Sequence, residues 1–343
     1  MSGLCGAEND SSNGRRLWLW GLVALLPWLA LLALGVGRYS RSGFLPFSAW
    51  HQDPLLQTIL WDIRFPRVLL ALVTGAGLAG SGFVFQMIFS NPLVEPGFLG
   101  VSQGAALGAA TVIVCFGYAP VAVQVAAAGG GMIGLWMSWM LARRFRFGGW
   151  ILRLVLAGMA VSAIFGAGLA FLKLVAEPTR DLQDITFWMM GGLWNANWPA
   201  LISILPATLV AMVTMVCMRW RLNLLSLNDR TAHSVGLSPR RDKTILLAVA
   251  AIGTSAVISV CGLVGWVGLL VPHLARRLFG ADSRYALPGS MVLGALLVLL
   301  CDTVARSALP GEVPLGLLTS LLGAIGFCLL LSRKNLLHGK GAE

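Results

Sequence analysis

Long apolar runs alternate with short polar connections along the whole chain. Ten runs stand out, at residues 17–37, 65–88, 97–117, 120–142, 151–175, 198–218, 244–262, 263–279, 287–305 and 315–332. A helix of about 20 apolar residues crosses about 30 Å of hydrocarbon. The pattern therefore predicts an all-α polytopic membrane protein of about ten transmembrane helices, with residues 1–343 forming one domain. The eighth run is the shortest of the ten.

Three connections depart from a simple polar turn. Residues 90–104, SNPLVEPGFLGVSQG, place two prolines and three glycines between the second and third runs. Non-helical backbone at that depth is tolerated only when it is buried in protein or lines water. Residues 176–197 carry acids and aromatics, and with Trp198 the tryptophans Trp188 and Trp194 read as an interfacial belt. Residues 219–243 form the longest polar segment, expected in the cytoplasm. Within it LNLLSLNDRTAHSVG reads as two short helical pieces: leucines, a polar turn from Ser226 to Asp229, then Thr231 and Ala232, closed by Gly236. A connector could be far shorter, so a helical knob here suits contact with a soluble subunit.

Composition sharpens the class. Charged residues make up 11% of the chain and hydrophobic ones 57%, against about 25% charged in a soluble domain. The net charge of +11 would suggest nucleic acid in a soluble protein; in this one it reflects cytoplasmic loops and anionic lipid, with no nucleic-acid partner. With both termini inside, 18 Lys and Arg residues fall on the cytoplasmic side and 7 outside, which fixes that orientation by the positive-inside rule. Arg15 and Arg16 precede the first run without a small-residue cleavage site, so the first run reads as an uncleaved span. The six cysteines stand singly and read as small core residues. Glycines recur inside the spans, where small residues let helices pack closely. Spans two to five and seven to ten form paired four-helix blocks of opposite sense, the pattern of an inverted repeat.

Candidate chemistry is sparse. The chain contains no zinc-protease, nucleophile-elbow or P-loop motif, and GAGLAG at 75–80 lies mid-span with no strand before it. No metal site is expected. Among charges in or near the spans, Asp302 and Arg306 stand four residues apart on one helix face. They read either as a local pair or as an outward-facing arginine oriented by its acid. Arg64 and Arg67 frame Pro66; they read either as interfacial snorkelling or as receivers for carboxylates of a docking protein. Glu95 is the one other acid near the membrane interior. A proton-driven carrier usually needs more such groups along a path, which points to an energy source outside this chain. Pro272 is expected to end the eighth helix, leaving His273 and Arg276 beside the polar knob in a structural and docking role.

These residues resemble one family, the membrane subunits of type II ABC importers for iron–siderophore, heme and cobalamin. RFPRVLLALVTGAGLAGSGFVFQ is similar to that family's second span. NPLVEPGFLGVSQGAALGA matches its signature through Asn91, Pro92, Pro96, Gly97, Gly100, Ser102 and Gly104. FWMMGGLW, GLVGWVGLLVPHLARRLFG, DTVAR and EVPLGLLTSLLGAIGF complete the resemblance in order.

The resemblance implies a homodimer of permeases, two cytoplasmic ABC ATPases that use the ATP, and a periplasmic substrate-binding protein, in a bacterial inner membrane. No cofactor belongs to this chain. It implies that Leu227, Asn228, Asp229, Thr231, Ala232, Gly236, His273 and Arg276 couple to the ATPase. The usual Gly-Glu of the coupling turn reads Asn228-Asp229 here. It implies that Arg64, Arg67 and Arg306 dock the binding protein. Gln86 and the signature residues are expected along the pathway. The cargo is expected to be an iron(III)–siderophore, with heme or cobalamin as the alternative within the class and a proton-driven carrier as the alternative outside it.

Overall fold

The computed structural model describes residues 2–38, 42–44, 54–227, 229–234, 236–309 and 311–338. Helix α1 (Ser2–Gly35) leads into a small antiparallel ribbon, β1 (Val36–Arg38) with β2 (Ser42–Phe44), in which Val36 faces Phe44. Next, α2 (Pro54–Thr58), a π-helical stretch (Ile59–Arg64) and α3 (Phe65–Ile88) run on as one continuous helix. A 3-10 turn (Pro96–Leu99) precedes α4 (Val101–Phe116), followed by α5 (Pro120–Arg144), α6 (Trp150–Val175), α7 (Asp181–Met190) and α8 (Trp198–Cys217). The short helices α9 (Arg219–Leu225) and α10 (Asp229–Ser234) come next. Helices α11 (Pro239–Cys261), α12 (Val267–Phe279), α13 (Ser283–Ala308) and α14 (Leu315–His338) complete the described chain.

Each of the ten predicted runs contains a helix, but the third and eighth begin with a break: α4 starts at Val101 and α12 at Val267. Seven helices among the described residues are long and apolar enough to cross a membrane, while Val101–Phe116 and Leu315–Leu330 are shorter apolar helices. Helix α12 has only 13 residues. The short α4 and α12 hold the same place in their blocks, second in α3–α6 and second in α11–α14, and each follows a non-helical break. That is the correspondence an inverted repeat demands.

Helix α3 forms the centre of the bundle. Its membrane stretch is 83% buried, against 11% for that of α1, which faces outward. Glycine makes the central packing possible. A Cβ on Gly75 of α3 would stand 2.1 Å from the carbonyl oxygen of Gly294 of α13. One on Gly104 of α4 would stand 2.2 Å from that of Gly130 of α5. No side chain fits between these backbones, and dispersion between them replaces the hydrophobic force that lipid does not supply.

Two expectations fail. Pro272 does not end the eighth helix: α12 continues through it to Phe279. Trp188 does not belong to an interfacial belt, because α7 folds back over the bundle and leaves it 4% exposed. Trp194 packs against Phe187 instead, with ring centres 4.2 Å apart.

Candidate functional site

Helices α3 and α13 place polar residues at both ends of the bundle. From Arg67 to Gln86 along α3 is about 28 Å at 1.5 Å per residue. At the Arg67 end, Arg67 of α3 and Arg306 of α13 meet at Asp302, with Arg64 beside them. Arg67 grips that carboxylate with Nε at 3.0 Å and 3.2 Å and Nη2 at 2.9 Å, and its Nη1 reaches Glu312 at 2.7 Å. Arg306 Nε lies 3.8 Å from Asp302, the pair expected from their four-residue spacing. The other two contacts close the end of α1: Arg64 Nη1 donates to Leu34 O at 2.8 Å, and Arg306 Nη2 donates to Ala33 O. Cations suit these positions, because the last carbonyls of a helix have no partner within it and carry partial negative charge.

The arginines are therefore inside the fold. Arg64 is 5% exposed, Arg67 6% and the Arg306 side chain 7%. Neither the snorkelling nor the outward-reaching geometry expected for Arg64 and Arg67 is present. The π-helical turn before Phe65 and the closure of α1 turn these groups inward, where Asp302 and the α1 carbonyls take up their donors. Glu312, with a side chain 41% exposed, is the acid at the rim of the cluster.

At the opposite end, Gln86 answers the proline in α12. Pro272 has no N–H, so the carbonyl of Gly268, four residues earlier, loses its helical donor. Gln86 Nε2 supplies one, at 3.3 Å to Gly268 O and 3.0 Å to Leu269 O. Its Oε1 in turn accepts from Arg276 Nη2. The Arg276 guanidinium also lies 5.4 Å above the Phe83 ring. Gln86 is 3% exposed, so it clamps α12 to α3 and does not line an open passage. Arg276, expected in the coupling contact, is turned into this clamp because Gln86 offers it an acceptor. His273 is half-buried in the same helix.

The polar knob is the pair α9–α10. Leu227 (47% exposed) and Thr231 present themselves outward, while Ala232 is fully buried. Gly236 closes α10 at φ +82°, with the Leu237 N–H bonded to Ala232 O at 3.2 Å. Asn228 lies outside the described residues. The knob is held on two sides. Arg221 pairs with buried Asp242 of α11 at 2.9 Å. Asn223 donates to Asp282 at 2.7 Å and accepts from Ser283 N at 2.8 Å, and Ser283 Oγ donates to Arg219 O at 2.5 Å. Asp282 caps α13 through Arg284 N at 2.9 Å. Burial acts to raise the Asp282 pKa, but the bonds from Arg284 and Asn223 outweigh it and hold the carboxyl below its ordinary value.

The signature residues are mostly turn and packing residues. Asn91 Oδ1 accepts from Leu93 N at 2.9 Å, shaping the turn at Pro92. Gly100 holds φ +79°, a conformation costly for any residue with a Cβ, at the start of α4. Ser138 Oγ ties the loop to α5 by donating to Leu99 O at 2.8 Å. Pro96, Gly97 and Ser102 line a cavity of about 220 Å³ with Glu95 and Gln103, facing Thr254 and the break after α11.

The chain as a whole is similar to known proteins. The FecCD transport family matches residues 23–333. The chain belongs to the FecCD transport family. Within it, the chain is 40% identical to the hemin transport system permease protein HmuU of Yersinia pestis, over 94% of this chain and 98% of that one. It is 37% identical to the molybdate import system permease protein MolB of Haemophilus influenzae, over 89% of this chain and 92% of that one. A solved structure described as an inward-facing metal-chelate type ABC transporter superposes with a TM-score of 0.85 at 35% identity, covering 93% of this chain and 99% of the other. This FecCD chain is thus a multi-pass membrane permease, whose work is passage and not catalysis.

Sequence reasoning missed four partners in this FecCD fold: Glu312 and the triad Asn223, Asp282 and Ser283. A signal was present for the triad, since Asp282-Ser283 stands directly before an apolar run, the form of a helix N-cap. Glu312 gave none, because its partner is 245 positions away.

Proposed function

We propose that the chain is the membrane subunit of a type II ABC importer that passes a metal chelate across the bacterial inner membrane, with both termini in the cytoplasm. Two copies form the passage as a homodimer. Two cytoplasmic ATPases consume the ATP, and a periplasmic binding protein delivers the cargo. One observation carries the reading. The knob α9–α10 is exposed at its tip yet locked to α11 through Arg221–Asp242 and to α13 through Asn223, Asp282 and Ser283. A connector needs no such anchoring; a handle does. Residues 219–243 are accordingly the coupling segment of a single domain, with Leu227 and Thr231 at its surface, Ala232 packed beneath, Asp229 opening α10 and Gly236 closing it. Helix α13 carries motion from there to Asp302 and Arg306 at its far end.

Docking of the binding protein belongs to that far end. Among the described residues, three guanidiniums and two carboxylates make up this cluster. We assign Arg64, Arg67 and Arg306 the role of attracting an acidic surface through their field while staying within the fold. The glycines and signature residues about Glu95 shape the inner cavity of each copy. The cargo we assign is an iron(III)–siderophore, a large hydrated chelate suited to spans with so few charges. Hemin is the second reading, favoured by the 40% identity to the hemin permease; cobalamin is the third.

The test reconstitutes the permease in liposomes with its ATPase and binding protein. ATP-dependent accumulation of labelled ferric siderophore supports the assignment, whereas accumulation of hemin, cobalamin or molybdate instead replaces the cargo. Uptake by the permease without the ATPase would favour a proton-driven carrier and end the importer reading. In the same system Asn223→Ala should lower cargo moved per ATP severalfold while ATP hydrolysis continues.

A further inference from the structure

Two recesses meet at the start of α11. One is an apolar groove of about 230 Å³ between α5, α6 and α11, walled by Leu135, Trp136, Trp139, Trp150 and Leu247. The other is a basic recess of about 470 Å³ lined by Arg143, His233, Arg240 and Arg241. Trp139 and Thr244 line both, so the two are continuous. Aromatic faces and guanidiniums alternate at the junction: Arg143 lies 3.8 Å from the centre of the Trp139 ring, and Arg240 lies 5.9 Å from that of Trp150.

We infer that the groove and the recess form one binding site for an anionic phospholipid, its acyl chain along Trp136, Trp139 and Leu247 and its phosphate among Arg143, Arg240 and Arg241. The argument is charge complementarity joined to amphipathic shape. Among the described residues no carboxylate pairs with Arg143, Arg240 or Arg241, and none lines the recess. The nearby acid Asp242 is buried and already holds Arg221. An ion alone would use the recess and leave the groove empty; a neutral lipid would use the groove and leave three cations unanswered. A phosphodiester on an acyl chain fits both. Tryptophans and arginines at the ends of α5 and α6 put the junction at the level of the headgroups. On the orientation proposed above this is the cytoplasmic leaflet, but the site requires only that the bilayer boundary lie there. Bound lipid would join α5 and α6 to the end of the coupling segment, where Arg240 and Arg241 open α11. Lipid content would then bear on how firmly that segment is held.

The experiment uses the full-length protein in phosphatidylcholine nanodiscs. Brominated phosphatidylglycerol, or brominated phosphatidylcholine, is added at equal small fraction, and tryptophan fluorescence is read. The chain has 13 tryptophans, whose general quenching by bilayer bromine is common to both lipids and cancels. The expected result is extra quenching by the anionic lipid, shrinking as salt rises. Apparent affinity should fall about fivefold for each arginine changed to glutamine at 143, 240 and 241. The triple lysine variant should retain the extra quenching, which separates loss of charge from loss of fold. Equal quenching by the two lipids overturns the site, as does extra quenching that survives in the triple glutamine variant. Displacement by inorganic phosphate would mean a free-anion site, and displacement by the ATPase would mean a protein interface; either overturns the lipid assignment. None of these readings depends on transport.

Discussion

The Arg67 end and the Gln86 end of the bundle face the same difficulty, cations inside a protein with few charges, and meet it differently. At the Arg67 end, Asp302 and Glu312 supply carboxylates, and α1, α3 and α13 are drawn together around them. At the Gln86 end, the Arg276 guanidinium has an amide oxygen and an aromatic face but, among the described residues, no carboxylate. Among the described residues, Arg306 Nε in the first cluster and Arg276 Nη1 in the second are each buried without a hydrogen bond. Yet Arg306 Nε still has Asp302 at 3.8 Å. Breaking the first cluster strands charges of both signs; at the second, a neutral amide and a ring hold one guanidinium, so only that single charge is at stake. The first end is held by carboxylates shared among arginines, the second by an amide bridge between α3 and α12.

The largest effect should come from stranding a charge at the first end. Asp302→Ala or Arg67→Ala should each destabilise the protein by about 3–5 kcal/mol, read as the midpoint of denaturant unfolding in detergent. The double variant Arg67→Met with Asp302→Leu should recover much of that loss. If it does not, the cluster contributes something beyond mutual neutralisation. A charge-reversing Arg67→Glu would likewise break the cluster, so its loss of docking could not be separated from loss of structure. At the second end, Gln86→Leu removes the donor for Gly268 O and the acceptor for Arg276. It should cost about 2 kcal/mol. Comparable losses at the two ends would erase the contrast drawn here.

The comparison also shows what a sequence can disclose. Apolar length disclosed a helix in each of the ten runs, because crossing hydrocarbon is a largely local requirement, although α4 and α12 fall short of the crossing length and the short α7, α9 and α10 lie outside the ten runs. The four-residue spacing disclosed Asp302–Arg306, a contact within one helix. Arg67–Asp302 spans 235 positions, and no local pattern marks it, so Arg67 read as exposed. Pro272 misled for a related reason. A proline predicts a broken ladder, but whether the helix ends there depends on an acceptorless donor elsewhere, and that donor was Gln86, assigned to the pathway. The two helical pieces of the knob were legible from their leucines and Gly236. Their anchors were not, because Asn223 and Asp282 meet only after α11 and α12 have been packed between them.

A smaller effect isolates the field of the first end from its packing. Glu312 is 41% exposed and sits at the rim, so Glu312→Gln removes a negative charge with little structural loss. If the positive charge of the cluster attracts an acidic binding protein, association should quicken about two- to fivefold at low salt. The gain should vanish at high salt. Stopped-flow association of the binding protein with the reconstituted permease reads both. An unchanged rate at low salt would move docking away from this cluster.

The smallest effect concerns the anchor of the knob. The Asp282 carboxyl is held below its ordinary value in the folded protein, despite burial, by Arg284 and Asn223. A group whose folded pKa is depressed adds stability that is present above its unfolded value, about 3.9. That stability is lost as pH falls through the folded value. The α9–α13 junction should therefore loosen progressively below about pH 4, seen as faster hydrogen exchange in Arg219–Leu225 relative to the intrinsic rate at each pH. Asp282→Asn keeps the cap and removes the titrating charge, so its exchange should be faster at neutral pH and flat across the acid range. If wild-type exchange were equally flat, Asp282 would not be what ties the handle to α13, and the anchor would rest on Ser283 and Asn223 alone.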